Sequence, residues 1–283
     1  YGDHRDLHRV DRRQRQMCIR DRNNTAIGGN ALDANTTASH NTAVGRHALG
    51  TNTTGYHHTG LGVQSLFSVT TSNHNTAIGY RSGFALTTGS NNIMIGADAG
   101  YYTTQTTTGE TNLIIGNYSM TSASDSTGQI VLGYNVTGSG NATLTFGSGG
   151  SDTTCGMGST SWSTPSDQRM KEEIVTSTAG LSFLNDLRPV TFKWKKEKDI
   201  PTTLNGYKAD SETRYKTDTT EHGFIAQEVK TVIDAHSEIK DGFDMWSENG
   251  SDGRQRLAPS ALIPILVKAI QELSVKVTAL EAG

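Results

Sequence analysis

Asn24-Thr25-Ala26-Ile27-Gly28 returns as Asn41-Thr42-Ala43-Val44-Gly45, as His58-Thr59-Gly60-Leu61-Gly62 and as Asn75-Thr76-Ala77-Ile78-Gly79. Looser copies follow: Asn92-Ile93-Met94-Ile95-Gly96, Asn112-Leu113-Ile114-Ile115-Gly116, Gln129-Ile130-Val131-Leu132-Gly133, and a worn one ending at Phe146-Gly147. The glycines at 28, 45, 62, 79 and 96 are spaced by 17, and the later spacings are 20, 17 and 14. Self-similarity at a fixed short period marks a stacked-repeat architecture, in which each unit buries its apolar face only against its neighbours.

The residue before each glycine is large and apolar, from Ile27 to Phe146, and two positions earlier stands Thr, Ile or Leu. Strand side chains alternate, so these two positions share one face, and that face is predicted to point inward. The glycine allows a turn that a Cβ would obstruct. The leading Asn suits a turn and can ladder with its copies. Three residues after most glycines comes a small residue (Ala31, Ala48, Ser65, Ser82, Ala99, Ser119), followed in the first three copies by Leu32, Leu49 and Leu66. Each repeat is therefore read as one coil of an all-β solenoid over residues 23–147. Eight coils at about 4.8 Å per strand make a rod of about 35–40 Å. A single narrow coil stack of this composition is short of core, and three chains side by side would supply the burial, making a trimeric β-roll with 17-residue repeats.

Composition agrees with a thin β-structure: 31 glycines and 7% aromatic residues in 283. The net charge of −3 marks neither a nucleic-acid partner nor an anionic-membrane binder, and the longest apolar run, near residues 262–270, is far short of a membrane span. Cys18 and Cys155 fall in different segments and suggest no disulfide framework. Acids are sparse in the repeats: Asp33, Asp98, Glu110, Asp125 and Asp152 are scattered. Glycoside hydrolysis needs two carboxylates about one bond, so a polysaccharide-degrading reading is disfavoured. His40, His47, His57, His58 and His74 are read as showing no ligand spacing repeated from coil to coil, and His57-His58 as an exposed loop pair. No metal site and no cofactor is expected.

Residues 1–22 are crowded with Arg, Asp and His and lack an apolar period. They read as a disordered arm or, from Met17-Cys18-Ile19-Arg20-Asp21-Arg22, as translated adapter sequence, and they stand outside the fold reasoning. The chain does not begin with Met, and a preceding attachment region is expected. Residues 148–165, rich in Gly, Ser and Thr, read as a flexible or extended linker.

Composition changes at Pro165-Ser166: every lysine of the protein follows it. Residues 166–283 read as an α+β domain. The pattern predicts a short helix over 179–187, a half-buried strand over 190–194, a charged excursion over 195–221, a strand running into a helix from His222, and turns over 241–256. A final helix spans 260–281, with Pro264 tolerable in its first turn. Leu266, Ile270, Leu273, Val277 and Leu280 are spaced 4, 3, 4, 3, a heptad seam that forms coiled coils; packing on its own domain is the alternative.

Two resemblances sharpen these readings. The repeats resemble the head repeats of trimeric adhesins and phage tail fibres. Ser166-Asp167-Gln168-Arg169-Met170-Lys171, then Leu187-Arg188-Pro189-Val190-Thr191-Phe192, then Gly223-Phe224-Ile225-Ala226-Gln227-Glu228-Val229, then Leu262-Ile263-Pro264-Ile265-Leu266 occur in order over residues 166–283. Together they resemble the intramolecular chaperone auto-processing domain of phage tail fibres and tailspikes, of the endosialidase type, found also in myelin regulatory factor-like proteins. The resemblance implies a homotrimer of a virion tail fibre. Its chaperone domain would hold three chains in register and then cut itself off, in the host cytoplasm, at Pro165–Ser166. Ser166 would be the nucleophile and Lys171 the base. His222 and Gly223 match a position tied to processing, Gly223 as a tight backbone point. The stalk would meet a host-surface glycan or protein. A non-cleaving structural fibre or adhesin is the alternative.

The chemistry is coherent. A serine needs a base, and lysine serves as one where burial or cationic neighbours lower its pKa. Arg169 and His222 are candidate neighbours. Spacing alone does not join the pair: five residues turn about 140° on a helix and reach opposite faces of a strand. A bend or another chain is required.

Overall fold

The computed structural model describes residues 23–159, 161–240, 243–248, 250 and 252–282. The N-terminal arm reading lies outside the described residues. The chain divides into two compact units, one ending at Met170 and one beginning at Lys171.

The first unit is a β-solenoid. Its parallel strands are β1 (Thr25–Ile27), β2 (Thr42–Val44), β3 (Thr59–Leu61), β4 (Thr76–Ile78), β5 (Ile93–Ile95), β6 (Leu113–Ile115), β7 (Ile130–Tyr134) and β8 (Thr143–Ser148). They pair in sequence order with equivalent residues in register, Thr25 on Thr42, Thr42 on Thr59 and onward. The repeats thus stack as the period requires.

The strand face is opposite to the expected one. Each short strand sends only its middle residue inward: Ala43, Ala77, Met94, Ile114 and Val131 are fully buried. The residue before the glycine points out, leaving Ile27 59%, Leu61 43%, Ile115 39% and Phe146 43% exposed. Alternation was read correctly and its phase was not; a shift of one residue exchanges the faces. The inner position is small in the first four coils, so size alone pointed to the wrong residues. The real core adds Leu32, Leu49, Leu66, Val69 and Leu86.

The glycine column is explained by close approach of successive coils. Gly62 has φ +139°, and a Cβ there would lie 2.4 Å from the carbonyl oxygen of Gly79. The leading residue of each repeat forms a buried ladder, in which the Asn75 and Asn92 side-chain oxygens accept the backbone N–H of Asn92 and Asn112 at 2.9 and 3.0 Å. Their amide groups donate to the carbonyls of Gly89 and Gly109, both at 2.8 Å. These bonds satisfy interior polar groups that would otherwise cost about 1–3 kcal/mol each.

Residues 148–165 are more structured than a flexible linker. β9 (Ser151–Gly156) turns back antiparallel on β8, and β10 (Trp162–Ser163) adds to β9. The hairpin covers the last parallel edge, and Trp162 packs edge-on against Phe146 at 5.5 Å. The small, Thr-rich residues of β9 and the two-residue length of β10 hid these strands.

The second unit is a small α+β fold. It holds α1 (Leu181–Asp186), β11 (Val190–Phe192), β12 (Glu221–Gly223), α2 (Ala226–Ala235), β13 (Trp246–Glu248), β14 (Gln255–Leu257) and α3 (Ile263–Glu281), the last led in by a 3-10 turn over Pro259–Leu262. Phe183, Leu187, Val229, Ile233, Met245, Leu262 and Ile265 make its core. The β13–β14 hairpin falls where only turns were expected, pairing Trp246 with Leu257. Among the described residues no helix is long and apolar enough to cross a membrane.

Candidate functional site

The segment read as a processing site begins just after β10. Pro165 and Ser166 lie in an exposed, irregular stretch. Asp167 then starts a 3-10 turn over Gln168–Met170, its carbonyl accepting the Met170 N–H at 3.0 Å. Its carboxylate accepts the Arg169 backbone N–H at 2.9 Å and grips the guanidinium through Nε and Nη2. The Arg169 side chain, followed by its backbone N–H, holds the Asp167 carboxyl below its ordinary range. Arg169 is thus committed to a carboxylate, and the pair offers little net charge to a neighbouring amine. This turn lies between Ser166 and Lys171 in the sequence. Lys171 follows it, exposed. Ser166 lies in the first unit and Lys171 opens the second.

His222 and Gly223 are on β12, paired with Thr191 and Val190 of β11. His222 is exposed. Gly223 is not a tight position: an added Cβ would meet only Phe192 Cε1, at 3.4 Å. The structure therefore supplies no steric need for glycine there.

The quoted motifs are joined in the second unit. Arg188 donates from Nε to Glu228 Oε2 at 3.0 Å and from Nη2 to Oε1, tying the end of α1 to the first turn of α2. A carboxylate in that turn also suits the helix dipole. Glu272 of α3 accepts the Leu181 N–H at 3.0 Å, capping α1 from a distant segment. The face of α3 that packs on its own unit is Ile265 and Ala269. The heptad seam is a different face: Leu266 is 44%, Ile270 64%, Leu273 45%, Val277 52% and Leu280 81% exposed. Each unit therefore carries an uncovered apolar stripe, the solenoid's outer ladder in one and this seam in the other.

In the stalk, Asp98 is paired with Arg81 at 2.6 Å and buried, so this carboxylate is structural. The histidine readings change. His40, His57 and His74 are spaced by 17 after all and form a column of edge-to-face rings, with centroids 4.9 Å apart at each step. His58, read as exposed, is 1% exposed and occupies the asparagine position of its coil. The common period was visible in the sequence, but grouping five histidines together concealed it.

A parallel β-solenoid followed by a small α+β unit, whose last helix leaves an apolar seam exposed, defines the architecture. Residues 166–238 match the family described as chaperone of endosialidase, the match beginning at Ser166. That family is the self-cleaving chaperone, and the β-solenoid ahead of the matched segment fits a phage tail fibre with a C-terminal chaperone domain. Comparison with curated proteins gave no match. Comparison with solved structures gave none either.

Proposed function

We propose that this chain is a homotrimeric virion tail-fibre protein whose C-terminal domain assembles three chains and then releases itself by one peptide cleavage, at Pro165–Ser166. The outward apolar ladder carries the assembly reading. From Ile27 to Phe146 it presents one large apolar residue per coil to the outside. Covering half-exposed Ile and Leu side chains contributes about 1 kcal/mol each. Copies of the same chain have the matching repeat. The heptad seam of α3 supports the same partner at the other end of the sequence.

The cleavage reading rests on the family match, which starts at the predicted nucleophile, and on the Asp167-Arg169 turn between Ser166 and Lys171. In it, the Lys171 amine takes the Ser166 hydroxyl proton as Oγ bonds to the Pro165 carbonyl carbon. The C–N bond to Ser166 breaks, and its nitrogen leaves with the proton. Water then hydrolyses the resulting ester, leaving a Pro165 carboxylate and free Ser166. Lys171 is exposed in the single chain, so the burial that makes lysine a base has to come from assembly. Trimerisation and cutting are thereby coupled. The stalk would then meet a host-surface glycan or protein, and the cut domain would remain in the host cytoplasm.

A denaturing gel of the folded trimer tests this. Wild type should give two fragments, one ending at Pro165 and one beginning at Ser166 by mass. Ser166→Ala and Lys171→Ala should each give one full-length band. A wild-type trimer that stays intact would leave a non-cleaving structural fibre.

A further inference from the structure

The ladder of the stalk runs Asn24, Asn41, His58, Asn75, Asn92, Asn112, Gln129, one residue per coil and buried from Asn41 on. His58 replaces the carboxamide at both of its bonds. Its Nδ1 accepts the Asn75 N–H at 3.2 Å, and its Nε2 lies 2.7 Å from the Ser72 carbonyl oxygen. Its own N–H donates to the Asn41 side chain at 2.8 Å. A carbonyl opposite Nε2 and an N–H opposite Nδ1 fix the neutral tautomer with its proton on Nε2. An asparagine in this column has no second state. An imidazole has one, and in it Nδ1 turns from acceptor to donor, facing another donor.

The surroundings favour no charge on it. Burial first, then His74 and His57, push its pKa down to about 4. Those two imidazoles stand in the outer stack His40–His57–His74, whose rings are 4.9 Å apart, with Tyr56 edge-on to His57 and His74 at 5.2 and 5.4 Å. The titratable groups facing His58 are therefore His57 beside it and His74 on the next coil, both further imidazoles.

We propose that the coils around β2–β4 are an acid-sensitive segment of the stalk, in which protonation of His58 breaks one rung of the buried ladder and loosens the strands it joins. The coils of β5–β7 hold no histidine and keep their rungs in acid. The sign follows from linkage. The unfolded histidine binds its proton near pH 6.5 and the buried one near 4, so the stabilising effect is complete above 6.5 and is lost as pH falls toward 4.

The test is hydrogen exchange on the intact chain, read by mass spectrometry from pH 7 to 4 and corrected for intrinsic rates. Across that window, protection of peptides over 56–76 should drop about 10²-fold, with peptides over 92–134 unchanged. In His58→Asn the 56–76 peptides should hold their protection. Equal loss in both regions, no loss in wild type, or equal loss in His58→Asn would overturn the proposal. Imidazole NMR of the wild type guards against a variant that misfolds. It should show the Nε2–H tautomer of His58 at pH 7, and charging of that ring together with loss of protection. Charging without loss would equally refute it.

Discussion

Single residues set the fit of the stalk, and their effects are local. At Gly62 the backbone conformation and the neighbouring carbonyl both oppose a side chain. Gly62→Ala should destabilise the stalk by about 1–3 kcal/mol, visible as a lower thermal midpoint, and Ala77→Gly should be milder. Leu32, Leu49 and Leu66 hold φ near 50° while buried, and the next two coils place Gly83 and Gly100 there. In the second unit, His236 bridges Asp186 and Glu238, both at 2.8 Å. Asp186 and then Glu238 raise its pKa above 6.5. A raised histidine stabilises most below its unfolded pKa and loses that effect as pH rises through the folded one. Denaturant midpoints of the second unit should therefore decline above neutrality in wild type and stay flat in His236→Phe; parallel profiles would refute the clip. The two units are thus expected to respond to pH with opposite signs, the stalk through the burial of His58 and the C-terminal unit through the carboxylate partners of His236.

Elements show where a sequence is legible and where it is not. The period, the glycine column, the heptad and the order of helices in the second unit were all readable, because each is a repeated spacing with one physical meaning. The direction of the strand face was not. Ile27, Leu61 and Phe146 have the size of core residues, yet in one chain they lie outside. The β9 strand was missed because its residues are small and polar, and β13–β14 because each strand is only three residues long, although Trp246 and Leu257 pack on the core. Of the predicted site, a 3-10 turn stands between Ser166 and Lys171 in the sequence, while Gly223 proved sterically ordinary. At this scale, Ile78→Asp in β4 and Ile270→Asp on α3 each place a charge on a stripe that one chain leaves uncovered. Both variants should yield monomers by light scattering with unchanged circular dichroism; trimers of either would assign that stripe another role. Deleting residues 149–165 should expose the β8 edge, and such unpaired edges promote aggregation.

For the whole molecule, the difficulty is register. Coils with a common 17-residue spacing let neighbouring chains meet one coil out of step at little cost, since each apolar rung finds an equivalent partner. A C-terminal unit that gathers three chains first removes those alternatives. The stalk expressed alone as 23–165 should therefore give mixed or aggregated oligomers, and the full chain with Ser166→Ala should give uniform uncleaved trimers. Uniform trimers from the isolated stalk would show that register needs no chaperone. In the proposed processing, coils closed by their ladder and capped by the hairpin would stay folded after the C-terminal domain is removed.

The glycine column has one more consequence. Because every coil meets the next through the same backbone contact, the stalk behaves as a ruler graduated in whole turns. Duplicating a unit such as 42–58 would add about 4.8 Å of reach and would introduce no kind of contact that the stalk does not already make. Losing a unit would subtract the same. Length can then drift in discrete steps under recombination while foldability is conserved, and the span of such a stalk becomes an inheritable, countable quantity.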